Sequence, residues 1–126
     1  MGQEQELAIL FSDVVGSTRL FEVLGDIAAR DKVSACIDIM KRATGQHGGT
    51  VVKTMGDGLL VEFGNALDAV NCAIALQDAN QGVDAPRPAE RRLVLRIGIN
   101  LSDVMRDRDD IYGNGVNIAA RLQLIA

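Results

Sequence analysis

The chain has 126 residues, a hydrophobic content of 48% and a formal net charge of −4. We expect one domain over residues 1–126, because this length can bury a core of its own. Aromatic residues make up only 3% and Trp is absent, which predicts an aliphatic core. Contacts with nucleic-acid phosphates need Lys and Arg grouped on one face, and the sequence contains no such cluster, so we expect no nucleic-acid partner.

The two cysteines and the apolar runs indicate the compartment. Cys36 and Cys72 lie in helical-looking segments and lack metal-ligand spacing, which favours buried free thiols in a reducing compartment. The acidic, polar N-terminus is unlike a secretory signal. No apolar run approaches the roughly 20 residues of a membrane span. We therefore predict a cytoplasmic segment without membrane contact of its own, on the cytosolic face if a longer protein is membrane-anchored.

The first half of the chain predicts a strand and then helices. Residues 6–13 form a short continuous apolar run, typical of a buried strand. Residues 16–26 predict a loop and a short helical piece, and Asp26 is placed to cap a longer helix over residues 27–48. That helix ends at Gly48-Gly49. Its apolar positions with helical spacing are Ile27, Val33, Ile37 and Met40.

The middle of the chain predicts a hairpin followed by a helix. Residues 50–63 contain two strands around Gly56-Asp57-Gly58, and Asp-Gly between apolar runs is a strong hairpin signal. Asn65 is placed to cap a helix over residues 66–82. Residues 83–90 contain two prolines and predict an exposed loop. The apolar positions of the helix are Ala69, Val70, Ala73, Ile74 and Leu76.

The last third predicts a strand over residues 91–100, then a short strand, a turn and a brief return over residues 103–115, and then a helix. The complete order is βαββαβ followed by a small hairpin and a helix. This order indicates an α+β fold with a ferredoxin-like, antiparallel sheet, in which the first and fourth strands lie side by side in the middle.

Two acids should meet at one end of this sheet. Asp13 closes the first strand and Asp57 lies at the hairpin turn beside the third strand, which neighbours the first. Gly16-Ser17-Thr18 resembles a helix start, which attracts anions. Mg²⁺ binds one or two carboxylates together with substrate phosphates, so a cation between the two acids would bridge to a phosphate group. In the alternative interpretation, Asp13 only caps the helix and Asp57 only serves the turn.

Four motifs resemble the class III nucleotidyl cyclases, the catalytic domains of adenylate and guanylate cyclases. They are "FSDVVGSTRL", "VVKTMGDGLLVEF", "RIGI" and "DDIYGNGVNIAARL". Each motif alone is weak, but four in series with compatible spacing are specific. The resemblance implies conversion of ATP to 3′,5′-cyclic AMP and pyrophosphate, with two divalent cations, Mg²⁺ or Mn²⁺, at the interface of a homodimer.

The resemblance also implies roles for the residues that match the motifs. Asp13, Asp57 and the Val14 carbonyl would bind the metals. Lys53 and Asp110 would read the purine, and this pair is typical of adenylate cyclases. The backbone that cradles the phosphates would consist of Val15, Gly16, Ser17 and Thr18.

Asn117 and Arg121 match the residues that orient the ribose and stabilise the transferring phosphate. They lie four residues apart, so they share one face of the last helix. The resemblance implies that one subunit provides Asp13 and Asp57 while the other provides the remaining side chains, so a symmetric homodimer would hold two sites. Taken singly, Lys53 could be an exposed strand lysine, Asp110 a turn acid and Arg121 a surface ion-pair partner.

Departures from the family leave other functions open. The C-terminal part of the family domain, with a second phosphate-binding lysine, has no counterpart here, so we expect weakened activity and exposed apolar side chains near Leu122, Leu124 and Ile125. Residues 100–103 depart from the His-Ser-Gly-Arg of some members, and the hairpin before Asp110 is shorter than in many.

The alternatives are a guanylate cyclase and a catalytically silent nucleotide-binding or dimerisation module. The Gly-Gly-Asp-Glu-Phe signature of diguanylate cyclases is absent, as is the Gly-Lys-Ser/Thr of P-loop ATPases. His47, just before the glycine pair, is expected to cap a helix C-terminus rather than act in catalysis.

Overall fold

A computed structural model describes residues 3–84, 94–107 and 110–125. The predicted order of elements is confirmed, as is the α+β fold. The predicted loop over residues 83–90 lies outside the described residues except for its first two positions, which are helical. The elements are β1 (Gln3–Val15), α1 (Ser17–Leu24), α2 (Asp26–Gln46), β2 (Thr50–Met55), β3 (Gly58–Phe63), α3 (Ala66–Asp84), β4 (Val94–Asp107), β5 (Asp110–Tyr112) and α4 (Asn114–Ile125).

The strands form one five-stranded antiparallel sheet in the order β2-β3-β1-β4-β5. As predicted, β1 and β4 lie side by side, and they pair from Gln3 opposite Arg106 to Val15 opposite Val94. The sequence suggested that the strand of residues 91–100 stops before a separate short strand. This was wrong, because β4 continues to Asp107. Its unbroken pairing with β1 provides hydrogen-bond partners for the additional residues.

Alternating side chains of β1 build a core on each face of the sheet. One face packs against α1, α2 and α3, and β1 contributes Ala8, Leu10 and Val14 to it. The other face packs against α4, and β1 contributes Leu7 and Ile9. Partners from the other elements on this second face are Leu60, Val104, Ile111, Val116 and Ala119.

The sheet is strongly curved. Its two edge strands, β2 and β5, contact each other. In a flat sheet, four interstrand spacings of about 4.8 Å would hold these edges roughly 19 Å apart. The curvature closes the face of the sheet that carries α4.

Two of the three helix caps predicted from the sequence are confirmed. The Asp68 backbone N–H donates to Asn65 Oδ1 at 2.9 Å, which confirms Asn65 as a cap. His47 Nδ1 lies 2.9 Å from the Ala43 carbonyl oxygen, at the C-terminal end of α2. Asp26 is not a cap. Gly25 occupies that position with a φ of 83°, and Asp26 is the first residue of α2.

Several apolar positions of the helices do not face the core. Ile27 was expected on the buried face of α2 but is 81% exposed. Val70 and Ile74 of α3 are 44% and 56% exposed, because α3 is apolar over more of its circumference than the sheet can cover. The exposure expected near the end of the chain is present. Leu122, Leu124 and Ile125 are 39%, 60% and 82% exposed.

The two cysteines are buried free thiols, as predicted. Burial raises the pKa of the Cys72 thiol, although a hydrogen bond from Thr44 opposes the shift. Within the described part of the chain, none of the helices combines the length and the apolar character that a membrane crossing requires.

Candidate active site

The structure brings Asp13 and Asp57 to the same end of the sheet, where β1 finishes and β3 begins. Asp13 lies opposite Gly58 in the register of β1 and β3, and the Val14 N–H donates to the Asp57 carbonyl at 3.1 Å. Ser17 Oγ, at the start of α1, donates to Asp57 Oδ2 at 3.0 Å. The β2–β3 turn is therefore fixed to both the end of β1 and the first turn of α1.

The cap position of α1 contradicts one alternative interpretation of Asp13. Gly16 is the N-terminal cap of α1, and no side chain makes a capping hydrogen bond there. Gly16 adopts a φ of 85°, a conformation that glycine reaches without strain. This turn lets the chain pass directly from β1 into α1, so that the free amides at the start of α1 lie beside the two acids.

Arg96 is a residue of this site that sequence reasoning missed. Its Nε and Nη2 atoms donate to Asp13 Oδ1 and Oδ2 at 3.4 and 3.3 Å. The two side chains are 29% and 24% exposed, respectively. Arg96 Nη1 also donates to the Leu124 carbonyl at 3.2 Å, near the end of α4. The antiparallel register, which sets Arg96 opposite Asp13, was the signal that could have identified it.

Lys53 and Asp110 form an ion pair although 57 residues separate them in the chain. Lys53 Nζ lies 3.1 Å from Asp110 Oδ2, and the side chains are 44% and 30% exposed. The Ile111 backbone N–H donates to Asp110 Oδ1 at 2.8 Å. That hydrogen bond and the one from Lys53 lower the pKa of Asp110. The pair spans the two edges of the curved sheet, since Lys53 belongs to β2 and Asp110 to β5.

Asn117 and Arg121 lie together on the solvent side of α4. The residues of α4 that are buried against the sheet are Gly115, Val116, Ala119 and Gln123. At about 100° per residue, Asn117 and Arg121 lie roughly 145° and 175° around the helix from the centre of that buried face. Both are exposed. Among the described residues, no hydrogen bond joins either side chain to Asp13 or Asp57.

The oxygen donors of Asp13 and Asp57, at this end of the sheet, fit a hard divalent cation. The described residues contain no group of three or more His, Cys, Asp or Glu side chains arranged to hold an ion. Two carboxylates with room for substrate oxygens are, however, the set that Mg²⁺ uses at phosphate-binding sites. Both acids are only partly exposed, so a cation there would be screened less than one at the open surface.

Comparisons with known sequences point to one family. The family model of the adenylate and guanylate cyclase catalytic domain matches residues 1–126. A putative adenylate cyclase 3 from Rhizobium meliloti is 44% identical over 126 residues, covering 94% of this chain and 20% of that protein. An adenylate cyclase from Streptomyces coelicolor is 32% identical over 123 residues, covering 98% of this chain and 31% of that protein. The chain thus spans between a fifth and a third of the length of these relatives.

Solved structures point to the same family as the sequence comparisons. A Silicibacter pomeroyi structure described as an adenylate/guanylate cyclase/hydrolase has a TM-score of 0.89 and 36% identity, covering 100% of this chain and 73% of that one. The adenylyl cyclase CyaB from P. aeruginosa has a TM-score of 0.84 and 27% identity, covering 99% of this chain and 74% of that one. These similarities show that the chain shares the fold of both solved structures.

Proposed function

The chain belongs to the family of adenylate and guanylate cyclase catalytic domains, and from this premise we propose that it converts ATP to 3′,5′-cyclic AMP and pyrophosphate. The reaction would use two divalent cations, Mg²⁺ or Mn²⁺, at sites shared by two copies of the chain. The proposal includes a cytoplasmic location, which the buried free thiols support.

The Lys53–Asp110 ion pair is the observation that carries the choice of ATP. Lys53 can donate to a ring nitrogen of adenine, and Asp110 can accept from its amino group. Guanine presents the opposite polarity at this edge, so a bound GTP would leave polar groups without partners, which costs free energy. The hydrogen bonds from the Ile111 N–H and from Lys53 support the role, because they hold the Asp110 carboxylate in one orientation as an acceptor.

The phosphate end of the substrate would lie where Asp13, Asp57 and the start of α1 meet. Asp13, Asp57 and the Val14 carbonyl would hold the cations, which would acidify the ribose 3′-hydroxyl and neutralise charge on the triphosphate. Ser17 fixes the orientation of Asp57 through its hydrogen bond. The free amides of residues 15–18 would bind the phosphate oxygens.

Arg121 and Asn117, together with Lys53 and Asp110, would complete the site from the second subunit. The ribose 3′-oxygen attacks the α-phosphorus and pyrophosphate leaves, so negative charge develops on the transferring phosphate. Arg121 would stabilise this charge, and Asn117 would hold the ribose. Their position on the solvent side of α4 supports a shared site, because both side chains are accessible to a partner chain.

A mixing experiment tests the shared site. Asp13→Ala and Arg121→Ala are each expected to be nearly inactive, since loss of one transition-state donor costs on the order of 10²–10³ in kcat. The two inactive proteins are then mixed and allowed to exchange subunits. In a mixed dimer one site receives its acids from the Arg121→Ala chain and its arginine from the Asp13→Ala chain. Random pairing therefore restores about a quarter of the wild-type rate under two-fold symmetry.

The design includes a matched control. Asp13→Ala mixed with Asp57→Ala must remain inactive, because every site then lacks an acid. Where the gene encodes a longer protein, the experiment is run in that protein as well. No recovery of activity in either, with exchange verified by mass spectrometry of tagged chains, would contradict the shared site. A full-length protein that binds ATP but never turns it over would support the alternative of a silent nucleotide-binding module.

A further inference from the structure

The Arg96 guanidinium contacts the same carboxylate that the proposed function assigns to a metal. Both oxygens of Asp13 accept from it, at 3.4 and 3.3 Å. The hydrogen bonds of a strong arginine–carboxylate pair are shorter, about 2.7–2.9 Å. The pair is therefore loose, and the carboxylate is engaged without being tightly bound.

A second contact provides Arg96 with a partner if it leaves Asp13. Its Nη1 donates to the Leu124 carbonyl at 3.2 Å. This oxygen belongs to α4, the helix that packs against β4. A guanidinium displaced from Asp13 would keep this hydrogen bond, and its side chain is already 29% exposed in the paired state, so displacement would not leave a buried charge without a partner.

We propose that Arg96 is a positioning residue that acts as a tethered competing cation, occupying Asp13 until a divalent cation displaces it. This inference rests on the proposed function, in which Asp13 is a metal ligand. A divalent cation and a guanidinium on the same carboxylate repel each other, so only one of them can hold both oxygens. Arg96 thus lowers the metal affinity of the nucleotide-free protein, and loading is favoured when the substrate phosphates add their own ligands.

The direct test is a Mn²⁺ titration of the nucleotide-free chain, followed by the electron paramagnetic resonance of free Mn²⁺. Arg96→Met should bind Mn²⁺ about fivefold more tightly than the wild type, since an ion pair with this exposure contributes up to about 1 kcal/mol. Arg42→Met is the matched control. Arg42 is exposed on α2, which covers the opposite face of the sheet, so the variant loses the same charge without changing Asp13. Its affinity should equal that of the wild type.

The Asp13→Asn variant separates a failure of the Arg96 role from a failure of the metal site at Asp13. If it loses Mn²⁺ binding while Arg96→Met is no tighter than the wild type, the role of Arg96 is refuted and the metal site stands. An Arg96→Met variant that binds more weakly would also refute it, because Arg96 would then hold Asp13 in place for the metal. If Asp13→Asn binds as well as the wild type, the ion binds elsewhere, and the metal assignment itself fails.

An NMR measurement on the wild type keeps the test valid if Arg96→Met does not fold. Mg²⁺ should shift the Arg96 Nε–H resonance, because Nε loses its carboxylate acceptor. In Asp13→Asn the same resonance should not respond to Mg²⁺. A resonance that stays unchanged while Mg²⁺ saturates the wild-type protein would overturn the proposal.

Discussion

Gly98→Ala tests how closely α4 is docked on the sheet. A Cβ atom at Gly98 would contact the Gln123 amide nitrogen and the Ala119 carbonyl oxygen at distances that real Cβ atoms do not reach. Both atoms belong to the backbone of α4, so no side chain can rotate away. Ordinary separations of about 3.5–4.0 Å require the helix to move by roughly 1 Å or more.

The cost follows from that displacement. Inserting one methyl group into a well-packed contact typically destabilises a protein by about 1–3 kcal/mol. Because this contact is with backbone, we expect the upper part of the range, a loss of about 2–3 kcal/mol in the free energy of unfolding. The cyclase rate should fall further than the stability loss explains, since α4 carries Asn117 and Arg121 under the proposed function.

Urea unfolding followed by circular dichroism measures the loss, with the slope of the transition checked for two-state behaviour. Gly45→Ala is the matched control. Gly45 lies in the last turns of α2, and nothing lies within 4 Å of a Cβ built there. It should be neutral or gain up to about 1 kcal/mol, because Ala favours the helix. A Gly98→Ala variant within about 0.5 kcal/mol of the wild type would show that α4 does not approach β4 this closely.

Two further predictions concern base selection and the packing of α4. The double variant Lys53→Glu/Asp110→Cys should shift preference from ATP toward GTP, because the hydrogen-bond donor and acceptor that face the base are exchanged. The ratio of the kcat/KM values for ATP and GTP measures this preference. An unchanged ratio would mean that this pair does not read the purine. Gln123→Met should raise the free energy of unfolding by about 1–2 kcal/mol, because Gln123 Nε2 is buried without a hydrogen-bond partner among the described residues. Unfolding in urea checks the second prediction, and a loss of stability would contradict it.

Much of the fold could be predicted, because individual residues mark the boundaries of its helices and strands. Asn65 before an apolar helix, Gly56 in a hairpin and Gly48 after a helix each mark a boundary through backbone chemistry, and the structure has a boundary at each place. Because the polar, turn-rich residues 103–115 indicated a separate short strand, the sequence did not predict the continuous pairing with β1 of residues 101–107. Their strand conformation comes from hydrogen bonds to β1, which lies far away in the chain.

The residues of the candidate site also separate into those that the sequence predicted and those that it did not. The sequence predicted that Asp13 and Asp57 meet, because the topology places their strands side by side. Ser17 was expected to contribute only its backbone, and its hydroxyl contact with Asp57 depends on the tight turn at Gly16. Arg96 was missed because a single arginine in an apolar strand carries no periodic signal. Only the register between β1 and β4 identifies its partner.

The curvature of the sheet lets one strand contribute to two separate parts of the proposed sites. Near its start, β4 places Arg96 against Asp13, and near its other end it pairs with β5, which carries Asp110. In a flat sheet Asp110 would lie roughly 19 Å from β2, too far for the ion pair with Lys53 at 3.1 Å. The same curved face is covered by α4, which turns Asn117 toward solvent. A single chain therefore holds the two acids in one place and the Lys53–Asp110 pair in another, and under the proposed function these two places belong to different sites of the dimer. Under the proposed function, catalysis then depends on a second chain, and activity should rise with protein concentration as dimers form.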